Sequence, residues 1–161
     1  MRGQAGIVAS FVVALAGATA ASAQNAPVFQ FTEKPGPYKV GLKVVEQYDY
    51  SRVYRHSTDA LGKPYSGERA RPLQTLVWYP AQKNPGTPMS VADYGDLLAT
   101  ETSFGKPKMP VEAKQWIKGM KPALATTLWA VRDAPSTSGH FPIVIYAPSF
   151  SAMSWENADL C

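Results

Sequence analysis

The sequence predicts an α/β domain, and three observations predict it. An alternating stretch from Tyr38 to Tyr50 and an apolar stretch from Leu73 to Tyr79 read as two early strands. Phe141-Pro142-Ile143-Val144-Ile145-Tyr146-Ala147 is apolar or aromatic at every position. Such a run suits a parallel strand covered by helices on both faces. Between these strands lie short stretches with helix-start and helix-stop signals.

The chain begins with Met1-Arg2-Gly3-Gln4, continues through an apolar run from Ala5 to Ala16, and reaches Ala21-Ser22-Ala23. A basic start, an apolar middle and a small-x-small cleavage site (Ala21 and Ala23) make the three-part pattern of a secretory signal peptide, residues 1–23. The run is shorter than the roughly 20 apolar residues of a membrane span. The expectation is therefore export, secreted or periplasmic, with no stable membrane span after cleavage. An uncleaved N-terminal anchor is the alternative.

Residues 24–37 read as a loop ending in Lys34-Pro35-Gly36-Pro37. From there Tyr38, Val40, Leu42, Val44, Tyr48 and Tyr50 share one face, while Lys39, Lys43, Gln47 and Asp49 share the other. Only Glu46 interrupts the apolar face, so a half-buried strand at a sheet edge is expected, antiparallel to its neighbour. Arg52–Pro72 is polar and turn-prone. The second strand, Leu73–Tyr79, is stopped by Pro80 and is apolar on both faces, which predicts a more central position.

Residues 90–132 read as a helical insertion. Ser90-Val91-Ala92-Asp93 resembles a capping box opening a helix over Val91–Ala99. Pro110 suits the first turn of a second helix, through Val111 to Lys118, with Gly119 as its stop. Pro122–Arg132 reads as a third. After the strand 141–147, Pro148-Ser149-Phe150-Ser151-Ala152 makes a small-residue turn, and Ser154 stands where it would cap a helix beginning at Trp155.

Composition narrows the function classes. The 161 residues are 45% hydrophobic, enough for a real core, and 17% charged, too few for a coiled coil or a disordered polymer. The net charge of +4 comes from scattered basic residues without a polybasic tract, so no nucleic-acid partner is implied. A single cysteine, Cys161, excludes an intrachain disulfide and any multi-cysteine metal site. His56 and His140 are isolated, and two such residues make no metal centre. No metal or other cofactor is expected.

The segment from Phe141 to Leu160 reads as buried strand, tight turn, helix start. Backbone N–H groups at such a turn are unpaired, and small residues let an oxyanion approach them. Many ordinary α/β crossovers share this pattern.

Two blocks carry a more specific likeness. Pro72-Leu73-Gln74-Thr75-Leu76-Val77-Trp78-Tyr79-Pro80-Ala81 and Phe141-Pro142-Ile143-Val144-Ile145-Tyr146-Ala147-Pro148-Ser149-Phe150-Ser151 resemble the N-terminal part of α/β-hydrolases. The nearest likeness is to dienelactone-hydrolase-like and platelet-activating-factor-acetylhydrolase-like serine esterases. The resemblance implies an α/β-hydrolase sheet with antiparallel first strands and then a parallel strand. It also implies a small-molecule ester substrate, and an oxyanion-hole N–H donated by the backbone of Phe150. Pro148, Ser149 and Ser151 would shape that loop. Family members often carry His-Gly where this chain has Pro148-Ser149.

The triad of that family is not in this chain. A serine elbow needs G-x-S-x-G followed by an acid and then a histidine. No serine here has glycine on both sides at two positions' distance, and both histidines precede the strand 141–147. The expectation is an N-terminal fragment of an exported serine hydrolase, inactive and poorly packed alone. The alternative is a non-catalytic secreted binding module using its exposed aromatics, with Trp78, Trp116, Trp129 and Trp155 as candidates. Packing in the core is the other use of those tryptophans.

Overall fold

A computed structural model of the chain describes residues 31, 34–83 and 85–158. The signal-peptide reading, with Ala21 and Ala23, falls outside the described residues, as does Cys161.

The first two strands form as the alternation requires. β1 (Lys39–Val53) and β2 (Ala70–Ala81) are antiparallel, with Leu42 opposite Trp78 and Val44 opposite Leu76. Leu42 is fully buried, and Val40, Val44, Leu76 and Trp78 pack around the same cluster. The register shifts between Asp49 and Val53, where the hairpin leaves the core and Tyr50 is exposed. Apolar alternation therefore converts to burial only over the part of β1 that has helices to cover it.

Among the described residues the sheet has three strands in the order β2-β1-β3, and β3 is Ala130–Arg132, parallel to β1 from Val40 to Leu42. This mixed sheet with short helices is a partial α/β arrangement. It corrects two expectations. β1 lies between its neighbours rather than at the edge, and β2 lies outside it, with Val77 exposed. Apolar residues on both faces of β2 marked a wide contact with β1 and the helices, not a central place.

The helical stretch is seen in part. α1 spans Val91–Asp96 and runs into a 3₁₀ turn at Leu97–Ala99. Ser90 caps it: the Ser90 Oγ accepts the Asp93 N–H at 3.2 Å, and the Ser90 N–H donates to Asp93 Oδ2 at 2.6 Å. α2 spans Val111–Gly119, with Pro110 at its N-cap. The third expected helix is absent: after a 3₁₀ turn at Lys121–Ala123 the chain extends. Val91 N–H donates to Thr126 O, Met89 N–H to Ala130 O and Leu128 N–H to Met89 O. These bonds draw residues 124–130 along the start of α1 and deliver β3 to β1. A spacing that reads as helical in isolation is overridden by non-local pairing.

The core joins Leu42, Met89, Val91, Tyr94, Leu97, Leu128, Ala130 and Trp155. Trp155 is buried against Tyr94 and Trp116, with ring centroids 5.7 and 5.5 Å apart. Trp129 stacks at a tilt on Phe31, centroids 4.6 Å apart. Trp78 and Trp116 pack against the core.

The largest correction concerns residues 141–147. They form no ladder and are not buried: Ile143, Val144 and Ile145 are 89%, 86% and 91% exposed. An all-apolar run carries no information about where its partner strand lies, and among the described residues none pairs with it. Where a helix is expected after Ser154, residues 154–157 are turns and residue 158 is 3₁₀, with Glu156 N–H to Met153 O and Ala158 N–H to Trp155 O, and the rest of that stretch lies outside the described residues.

Candidate functional site

The residues singled out for oxyanion binding lie together on one turn. Ala152 N–H donates to Ser149 O at 2.9 Å, closing a four-residue turn over Phe150 and Ser151. Ser151 has φ 62°, whereas Phe150 is not in the positive-φ region, which makes the turn type II. That position ordinarily takes glycine or asparagine, and a serine there holds a costly conformation. Pro148 precedes the turn with its φ fixed by the ring.

A turn of this kind uses the N–H of its last residue and leaves the two central ones free. No acceptor among the described residues takes the Phe150 or Ser151 N–H. The Phe150 side chain is fully exposed. Among the described residues the Phe150 N–H is therefore unpaired, on an open surface rather than in a dry pocket.

Ser149 is held from its other side. Its N–H donates to Glu156 Oε1 at 2.8 Å. The same carboxylate oxygen accepts the Tyr146 hydroxyl, and Asn157 Nδ2 donates to Tyr146 Oη at 2.5 Å. The Tyr146 O–H and then the Ser149 N–H hold the Glu156 carboxyl below the ordinary glutamate range. The carboxylate in turn raises the Tyr146 phenol above its ordinary value. Glu156 is not among the residues that the sequence singled out for the site. The available signal was a glutamate a few residues past a turn with unpaired N–H groups.

His56 lies in the exposed loop between β1 and β2, His140 is exposed before the apolar segment, and among the described residues neither hydrogen-bonds to a serine. A shallow cleft at the far end of the hairpin is lined by Tyr48, Arg55, Tyr65, Glu68, Thr102 and Ser103. Arg55 donates there to Thr102 O at 3.0 Å and lies near the Tyr54 and Tyr65 rings, and neither histidine lines the cleft. Among the described residues no group of three or more His, Cys, Asp or Glu side chains is placed to hold a metal ion, and no helix is long and apolar enough to cross a membrane.

Comparison with family models, curated proteins and solved structures gives no match to this chain.

Proposed function

We propose that this chain is the N-terminal part of an exported serine hydrolase acting on carboxylic esters of small molecules, in the manner of an esterase, lipase or acetylhydrolase. The observation that carries the reading is the type II turn at Ser149–Ala152, in which no acceptor among the described residues takes the Phe150 N–H, directly after an apolar, exposed segment. In acyl transfer, attack on an ester carbonyl places negative charge on its oxygen, and backbone N–H groups preorganised at that point stabilise it. Phe150 supplies one such donor. The nucleophile, its histidine and its acid would come from sequence beyond Cys161, which would also supply the strand neighbours that Ile143–Ile145 lack.

The finer fold follows from the same reading. Residues 38–161 would be the first part of an α/β-hydrolase sheet, with 90–132 as an insertion near the site. Secretion or periplasmic residence follows from residues 1–23 alone.

The binding-module alternative rested on exposed aromatics. Trp155 is buried and the other three tryptophans are half-buried, which leaves Tyr38, Tyr50, Tyr54, Phe150 and the 141–147 segment to serve it.

The test is the nucleotide sequence past the Cys161 codon. A continuing frame that encodes a strand and then G-x-S-x-G, an acid and a histidine is expected. Its product should react with a fluorophosphonate and hydrolyse p-nitrophenyl acetate, and the 161-residue chain should do neither. A stop codon with no hydrolase half downstream, or hydrolysis by the 161-residue chain itself, overturns the reading.

A further inference from the structure

We infer that Glu156 is the positioning residue of the Phe150 turn: its carboxylate clamps Ser149 and Tyr146, and so fixes the direction in which the free N–H groups are presented. The inference rests on the hydrolase reading for its catalytic meaning, and on hydrogen bonds for its geometry.

Ser149 is bonded on both sides. Its carbonyl accepts the Ala152 N–H at 2.9 Å, and its N–H is taken by Glu156 Oε1 at 2.8 Å. With both groups engaged, the peptide plane entering Phe150 has little freedom left. The clamp also joins the turn to the apolar segment before it, through the Tyr146 hydroxyl.

Glu156 is itself anchored. Its N–H donates to Met153 O at 3.1 Å, and its neighbour Trp155 is buried against Tyr94 and Trp116. No cation pairs with Glu156 among the described residues. A surface glutamate normally faces water or a lysine. This one spends its acceptor capacity on donors of a single turn and the tyrosine ahead of it. A line of contact thus runs from the core through Trp155 to Glu156, then to Ser149 and the Phe150 N–H.

Amide exchange on the 161-residue chain, read by NMR, tests the clamp. Glu156→Ala should speed exchange at Ser149 by about fivefold, the worth of one ordinary hydrogen bond, while the Leu128 amide in the core is unchanged. Glu156→Gln keeps an acceptor oxygen at the same reach and should restore protection. Glu156→Asp keeps the charge but falls one methylene short and should release Ser149 as well. Unchanged Ser149 exchange in both Glu156→Ala and Glu156→Asp overturns the inference, and the Asp variant decides alone if the Ala variant loosens the core.

The catalytic arm uses the longer gene product. Glu156→Ala should lower kcat about tenfold or more with KM little moved, and Glu156→Gln should recover it. An active product whose kcat ignores Glu156→Ala sinks the positioning role and leaves the hydrolase reading intact. Ester hydrolysis absent from every longer product, with the exchange result as expected, sinks the hydrolase reading and leaves the clamp.

Discussion

The ring of Tyr79 lies across Gly41, its cross-strand partner, so closely that a Cβ on Gly41 would stand 2.5 Å from the ring Cζ. The glycine leaves the space that lets the ring lie flat on the hairpin. From there the Tyr79 hydroxyl donates to Ala134 O at 2.6 Å and ties the end of β2 to the loop after β3. Gly41→Ala is expected to push the ring off and to cost about 1–3 kcal/mol, the usual range for overpacking. Tyr79→Phe keeps the ring and loses only the bond, about 1 kcal/mol. Thermal unfolding of the two variants should rank them in that order.

The Ser90–Asp93 box should show a signed pH dependence. The Ser90 N–H, and then the Ser90 hydroxyl, hold the Asp93 carboxyl below the ordinary aspartate range. A carboxyl lowered in this way adds stability that is fully present above its ordinary value. That stability is lost as the pH falls through the lower folded value. Ser90→Ala should cost about 1 kcal/mol at neutral pH. The gap in Tm between the two proteins should then narrow as the solution is acidified. A gap that stays constant to the acid limit would dissociate the cap from the carboxylate.

Trp155 presents a separable pair of effects. Its ring is buried, yet its Nε1–H has no acceptor among the described residues. Trp155→Phe removes the unsatisfied donor and keeps most of the aromatic contact, so a small change in stability is expected. Trp155→Ala opens a cavity between Tyr94 and Trp116 and should cost about 3–5 kcal/mol. Denaturant midpoints of the two variants check this, and equal losses would contradict it.

The exposed segment 141–147 predicts self-association. Extended apolar backbone without ladder partners is a template for pairing with other chains. Ile143→Lys and Ile145→Lys should each reduce concentration-dependent light scattering. Both side chains are about nine-tenths exposed, so unfolding should move by no more than about 0.5 kcal/mol. Scattering that ignores both substitutions would place the association elsewhere.

Ser151→Gly should stabilise the Ser149–Ala152 turn by about 1 kcal/mol or less, because glycine adopts φ 62° without a Cβ penalty. A valine at that position should open the turn. The exchange rate of the Ala152 amide, whose N–H closes the turn, reads both changes directly.

What the sequence made legible was local. Alternation placed β1, Pro80 lay at the end of β2, and Ser90 with Asp93 opened α1. Pro110 and Gly119 bounded α2. What it hid was non-local. Ala130–Arg132 looked helical because its partner, Val40–Leu42, is remote in the chain. Ile143–Ile145 looked buried because apolarity says what a residue favours and not what is near it. The same divide runs through the site. The turn around Phe150 rests on its own small residues, whereas the Glu156 clamp needed the chain to fold back on itself.

The parallel pairing of β1 with β3 sets an order of events. The β1–β2 hairpin closes the loop 54–69 and needs nothing later in the chain. β3 pairs with Val40–Leu42 across about ninety residues, a closure with a larger entropy cost than that of the hairpin. The hairpin should therefore form in the early kinetic phase and β3 should dock in the late one. In that interval the free edge of β1 and the Ile143–Ile145 run are open together, and this is when the chain is most in need of a chaperone.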